Sequence, residues 1–143
     1  MARVLDPVRV EFIDGRVWKL LDTFRYHIGS PDSDEIVVVP RGFLTDFASI
    51  PRGLWNIFPP AGPYAPAALV HDYLYTYAEI WQRNPIALDY DRRIDRKYAD
   101  DAFREVMEVI GVGRIKRNLM YRGVRLFGGK AWDAHRKARP VAA

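Results

Sequence analysis

The sequence predicts an α+β fold, a small N-terminal antiparallel β-sheet followed by a three-helix C-terminal half. Strand-like alternation and β-branched runs are confined to residues 8–39, and helical periodicity to residues 64–127. A stretch rich in Pro, Gly and aromatic residues separates the two. The 143 residues suit a single domain with one core. Its regions are a β-sheet region (1–39), a loop (40–66), a helical region (67–130) and a basic tail (131–143).

Val8-Arg9-Val10-Glu11-Phe12 alternates apolar and polar residues, as a half-buried strand must. Asp14-Gly15 follows, and Val17-Trp18-Lys19-Leu20-Leu21 resumes the pattern, so a hairpin is expected to turn there. Thr23 to His27 is a third strand, closed by the loop Gly29-Ser30-Pro31-Asp32-Ser33-Asp34. Glu35-Ile36-Val37-Val38-Val39 is a fourth, stopped by Pro40.

The loop at 40–66 is too apolar for disorder, and Phe43, Phe47, Ile50, Leu54, Trp55 and Phe58 should fold it back onto the domain. A first helix is expected over Tyr64 to Ala78, with Pro66 in its first turn. Residues 79–90 read as a connection containing Asn84-Pro85. A second helix is expected from Asp91 to Ile110, and a third from Arg114 to Phe127, ended by Gly128-Gly129. A short basic helix can follow, up to Pro140.

Helical geometry sorts the ionisable groups. On the second helix Ala99, Ala102, Phe103, Val106, Met107 and Ile110 form the apolar stripe. Asp100 sits at its edge and Asp101 on the opposite face. The first helix is apolar nearly all round, hence buried, and carries His71 within its tightest stripe (Ala67, Val70, Leu74, Ala78). Asp72 lies a quarter-turn away beside Ala68 and Tyr75. Buried imidazoles and carboxylates need partners, and Asp100 is the natural partner for His71 if the helices pack antiparallel.

Three readings follow. The group is a structural network tying both helices to the loop, through Arg52 or backbone amides. Or His71, oriented by Asp100, is a general base for water, with Asp72 holding a divalent metal (calcium or zinc) or a substrate cation. Or Ser49 is a nucleophile in a Ser49, His71, Asp100 triad, although no glycine-flanked elbow surrounds it. Thr45, Asp46 and Ser49 are also ordinary capping and turn residues. No zinc-peptidase helix motif, phosphate-binding loop or dinucleotide fingerprint occurs. His27, in a strand-like stretch, and His135, in the basic tail, are not obvious ligands.

Cysteine is absent, which excludes disulfides and thiolate metal sites. The first residues lack the apolar run of a signal peptide, and no window reaches the roughly 18 apolar residues of a spanning helix. Synthesis in the cytoplasm is the default. The net charge of +4 is uneven: residues 113–143 hold nine bases and one acid, the rest thirteen bases and seventeen acids. Arg114, Lys116, Arg117, Arg122, Arg125 and Lys130 are therefore candidate partner-binding residues, against the plainer reading of a solvated helix face. Residues beyond Gly129 are expected to serve binding rather than folding.

Val39-Pro40-Arg41-Gly42-Phe43-Leu44-Thr45-Asp46-Phe47-Ala48-Ser49-Ile50-Pro51-Arg52 resembles the signature of domain of unknown function 1353, found in phages and prophages. Leu54-Trp55, Pro59-Pro60-Ala61-Gly62, Ala68-Leu69-Val70-His71-Asp72-Tyr73-Leu74-Tyr75, Ala99-Asp100, Phe103, Met107, Met120-Tyr121, Val124-Arg125-Leu126-Phe127-Gly128 and Trp132 extend the resemblance over residues 35–132. The 79–95 connection is longer here than is usual for the family. The resemblance implies a virion- or tail-associated protein, located in the phage virion or in the host cytoplasm before assembly. Its expected partners are other phage structural proteins or the host envelope. It supplies no reaction.

Locally, His71-Asp72-Tyr73-Leu74-Tyr75 is similar to the H-D-x-x-Y motif of secreted phospholipase A2. That resemblance implies a water-activating His71, a calcium-binding Asp72 and a supporting Asp100. The chain lacks that family's cysteines and Gly-rich calcium loop. Two functional classes stand against each other: a hydrolase-like His71/Asp72/Asp100 centre acting on an envelope component, and a non-enzymatic tail or adaptor protein. Nucleic-acid binding through the basic C-terminus is a third. An ion beside Asp72 in an open groove favours the first; a closed, dry network favours the second.

Overall fold

Alternation in the first forty residues builds four short strands: β1 (Val10–Asp14), β2 (Val17–Leu20), β3 (Phe24–His27) and β4 (Glu35–Val39). The computed structural model describes residues 3–15, 17–47, 49–56, 59 and 62–139. Phe58 of the expected loop core lies outside the described residues. β1 and β2 pair antiparallel (Val10 with Leu20, Phe12 with Trp18), with a bulge between Phe12 and Asp14. Gly15 takes a φ of 37° at the turn, a conformation that favours glycine.

The strands divide into two antiparallel sheets rather than one. β1 and β2 are joined by β5 (Leu44–Thr45), which pairs Trp18 with Thr45 and turns Thr45 inward while Leu44 faces solvent. β3 and β4 belong to a second sheet, completed by β6 (Glu79–Gln82) and β7 (Tyr90–Arg93) in the order β3-β4-β6-β7. The stretch expected to be a plain connection is thus a hairpin, docked on β4 by pairing of Glu35 with Gln82 and Ile36 with Trp81. Glu79–Gln82 and Tyr90–Arg93 lack a β-branched run, and β6 finds its partner β4 far away in sequence, which is why the sequence did not display them. The Asn84 side chain shapes the turn by accepting from the Ile86 and Ala87 amides.

The helices are α1 (Ala65–Tyr77), α2 (Arg96–Val109), α3 (Arg114–Phe127) and the short α4 (Gly129–Ala138). α2 begins five residues later than its periodicity suggests, because β7 takes Tyr90–Arg93 and Asp95 caps the helix by accepting from the Tyr98 amide. α1 is the central element and packs against α2, α4, β4 and β5. Eleven of its thirteen residues are buried, which accounts for its apolar character on every side. The core gathers Leu20, Phe24, Val37 and Val39 from the strands, Leu69, Val70 and Leu74 from α1, and Phe103, Val106 and Met107 from α2. Burial of each large side chain there contributes about 1.5–3 kcal/mol.

The basic segment, read as able to form a short helix but to serve binding rather than folding, is helical and attached to the core. Trp132 meets the Tyr75 ring edge-on at 5.3 Å, and Arg136 donates to the carbonyls of Tyr75 (2.8 Å) and Thr76 (2.5 Å) at the end of α1. Those carbonyls belong to the last turn of α1 and lack helical partners, so a guanidinium is a fitting cap. Pro140, the expected limit of this helix, lies outside the described residues. No helix among the described residues is long and apolar enough to cross a membrane.

Candidate functional site

The loop after β5 brings Thr45 and Ser49 against α1. Phe47, between them, is buried and has a φ of 57°, unusual for a bulky residue, and its amide donates to Thr45 Oγ1 at 3.0 Å. Packing of Phe47 into the core holds this conformation. The Thr45 hydroxyl donates to Asp72 Oδ2, and the Ser49 hydroxyl also hydrogen-bonds the Asp72 carboxyl. Ser49 Oγ lies 3.1 Å from His71 Nδ1, and His71 Nε2 lies 2.8 Å from Asp100 Oδ1. The expected pairing of His71 with Asp100 across α1 and α2 is therefore present. The imidazole is flanked by the rings of Tyr75 (4.2 Å between centroids) and Phe103 (4.6 Å).

Asp100 is the most heavily partnered group of the cluster. Besides His71 it accepts from the Tyr75 hydroxyl at 2.7 Å and from Arg125 Nη1 at 2.8 Å, while Arg96 Nη1 stands 3.5 Å away. Arg96 also donates to the Val124 and Arg125 carbonyls, so it ties α2 to the end of α3. A methyl group on Gly128, after α3, would lie 2.5 Å from the Tyr75 hydroxyl, which explains glycine at that point.

The two carboxyls are driven in opposite directions. Burial pushes the Asp72 carboxyl up, and hydrogen bonds from Thr45 and Ser49 only partly offset this. Burial also acts on Asp100, but hydrogen bonds from His71, Tyr75 and Arg125 outweigh it and hold the carboxyl below its ordinary value. The Asp100 carboxyl meets His71, the Tyr75 hydroxyl and two arginines, Arg125 at 2.8 Å and Arg96 at 3.5 Å, while the Asp72 carboxyl meets the Thr45 and Ser49 hydroxyls.

The cluster is closed. His71 and Asp100 are 0% exposed, Ser49 1%, Thr45 3% and Asp72 4%. The clefts bordered by Trp81 and Asp91, by Arg3 and Pro31, by Ile115 and Leu119, and by Glu108 and Arg117 are lined by none of them. Among the described residues no three His, Asp or Glu side chains converge around Asp72. Its oxygens are occupied by Thr45 and Ser49.

The other candidates scatter. Asp46 is exposed, and its field raises the Asp72 carboxyl. Arg52 does not stitch the network, because it is exposed and its guanidinium lies over the Trp55 ring. Asp101 faces away from the core, bonded to Lys97 and Tyr121. His27 meets the Ser33 carbonyl. Of the six basic candidates, Arg125 belongs to the buried cluster, Lys116 donates to Tyr64 Oη and Arg117 to the Val112 carbonyl. Arg114, Arg122 and Lys130 stay on the surface.

Sequence reasoning missed Arg96 and Arg125 as partners of Asp100. The spacing of four between Arg96 and Asp100 was a visible signal, while Arg125 needed the fold of α3 onto α2. It also missed His135, which feels the fields of Asp72 and Asp46 from α4 and is lowered mainly by burial.

The sequence pattern of the family described as "Protein of unknown function (DUF1353)" matches residues 18–124, a span that holds Thr45, Ser49, His71, Asp72, Tyr75, Arg96 and Asp100. The chain belongs to this family. No curated protein and no solved structure matches it. Within this DUF1353 chain, the matched region runs from β2 into the last turn of α3 and stops before Arg125 and α4.

Proposed function

We propose that this protein is a non-enzymatic, phage- or prophage-encoded structural component of the virion, acting as a tail or adaptor protein, whose buried polar cluster locks its fold. The observation that carries this reading is the closure of the cluster: no member of the Asp72–Ser49–His71–Asp100 chain is more than 4% exposed. Each of these groups already has an intramolecular partner. A substrate would have to displace bonds that hold β5, α1, α2 and α3 together. The phage setting rests on the spaced family motifs. Native protein treated with a fluorophosphonate, which esterifies activated serines, should remain unmodified by intact-mass spectrometry. An adduct on Ser49 would contradict the proposal.

One observation favours a second reading, a hydrolase directed at an envelope lipid or peptidoglycan. Ser49 Oγ, the His71 ring and Asp100 stand in series at 3.1 and 2.8 Å, with His71 Nδ1 the ring atom nearest the serine oxygen. For this chemistry the loop after β5 must open, because the serine has no path to a carbonyl carbon while it is buried. Fluorophosphonate labelling that requires both Ser49 and His71 would support this reading over the first.

A further inference from the structure

Helix α3 has two apolar faces, and the domain uses one. Met120, Gly123 and Val124 point inward and are buried. On the outer side Ile115, Leu119, Arg122 and Leu126 follow one another at spacings of four, three and four residues. That is the repeat of a coiled-coil seam, which keeps four side chains in a stripe about 60° wide. Ile115 is 87% exposed, Leu119 49% and Leu126 74%. A single exposed leucine is ordinary, but three aliphatic side chains in register along a helix form a contiguous patch. A groove of about 850 Å³ runs beside Ile115 and Leu119, bordered by Asn56, Gly113, Arg114 and Lys116.

We infer that this face docks an amphipathic helix of another protein, about three turns long, with apolar residues along its seam and a carboxylate opposite Arg122. The inference rests on the adaptor reading for its biological setting. Its physical basis is separate.

Charge selects the occupant. Arg122 is exposed and meets no acid among the described residues, and it stands between Leu119 and Leu126, inside the apolar stripe. Arg114 and Lys116 border the groove at its Ile115 end. A second copy would bring the same basic seam against this one, which like-charge repulsion opposes. A bilayer would have to bury the Arg122 guanidinium among acyl chains, because the charge lies within the apolar stripe rather than on its flank. Nucleic acid offers nothing for Ile115, Leu119 and Leu126 to contact. A helix with a glutamate at the matching seam position satisfies both the aliphatic residues and the arginine.

The test uses the full chain and two synthetic 21-residue helical peptides with Leu and Ile along the seam. One carries Glu and the other Lys opposite Arg122. In fluorescence anisotropy the Glu peptide should bind at least tenfold tighter than the Lys peptide, with the difference shrinking in high salt. Arg122→Glu should reverse that preference. Leu126→Asp should weaken both peptides at least tenfold with an unchanged circular dichroism spectrum. All of these positions are exposed, so folding is not at stake. Equal binding of the two peptides, a preference untouched by Arg122→Glu, or binding untouched by Leu126→Asp would overturn the inference. So would dimers in sedimentation, or flotation with phosphatidylglycerol vesicles, that Leu126→Asp abolishes; these would assign the face to a second copy or a bilayer. None of these variants touches Ser49, His71, Asp72 or Asp100, so failure here leaves the reading of the buried cluster standing.

Discussion

Asp100→Asn removes the one charge on which four side chains converge. The asparagine oxygen can still accept from His71 Nε2 and the Tyr75 hydroxyl, which now lie at 2.8 and 2.7 Å from Oδ1. Its amide nitrogen, however, would face Arg125 Nη1, a donor against a donor 2.8 Å away. A hydrogen bond to a charged group is worth about 1.5–3 kcal/mol net, and breaking a fully buried pair costs about 3–5 kcal/mol. The Arg125 and Arg96 side chains are 31% and 24% exposed and can turn partly to water, which puts the loss near the lower of these ranges, at about 2–3 kcal/mol. For a chain of this size that lowers Tm by roughly 5–10 °C at pH 7.

The pH dependence has a definite sign. Asp100 is held below its ordinary 3.8, so its contribution is complete above that pH and disappears as pH falls through the folded-state value. The Tm gap between parent and variant should therefore be constant above pH 4 to 5 and narrow at lower pH. Differential scanning calorimetry from pH 8 to pH 2.5 measures it. A variant within 2 °C of the parent at pH 7, or a gap that does not close in acid, would refute the assignment of Asp100 as the ionised anchor.

Asp72→Asn should behave in the opposite way. Burial raises that carboxyl, so the parent loses stability as pH rises through the raised value, while asparagine mimics the protonated form; urea midpoints should show the variant gaining on the parent from pH 4 to pH 8. Trp132→Ala should cost about 1–3 kcal/mol, and truncation after Gly129 more, because Trp132 packs on Tyr75 and Arg136 caps α1. A truncated chain as stable as the parent would restore the view of this segment as a dispensable tail. Gly128→Ala should displace the Tyr75 hydroxyl from Asp100 and lower Tm by several degrees, and an unchanged Tm would show that Tyr75 can relax freely.

What the sequence made legible follows from length and periodicity. β4 and α3 could be bounded from their residues alone, because a β-branched run before proline and a glycine-bounded helix are strong local signals. The inward turn of Asp100 and the outward turn of Asp101 came from helical phase, which is independent of tertiary context. The hairpin β6–β7 was hidden because β6 gains its pairing from β4, far away in sequence, and β7 pairs with β6 in turn. Thr45 and Ser49 read as turn residues because nothing local shows that β5 pairing and the left-handed Phe47 aim them at α1. Arg125 read as one more surface base, since only the packing of α3 on α2 brings it to Asp100. The attachment of α4 was obscured by its charge, although Trp132 was an apolar residue in need of a partner.

The central claim is that the buried cluster serves the fold and performs no chemistry. Asp72→Asn tests it most directly, because it preserves the shape of the carboxyl and removes the capacity to carry charge or bind a cation. The measurement is complementation of a phage or prophage lacking the gene, scored as infectious particles per unit of folded, particle-incorporated protein. The account predicts that Asp72→Asn incorporates normally and restores infectivity to within about twofold of the parent, in proportion to folded protein. Particles that carry the folded variant at parental levels yet lose infectivity a hundredfold would contradict it.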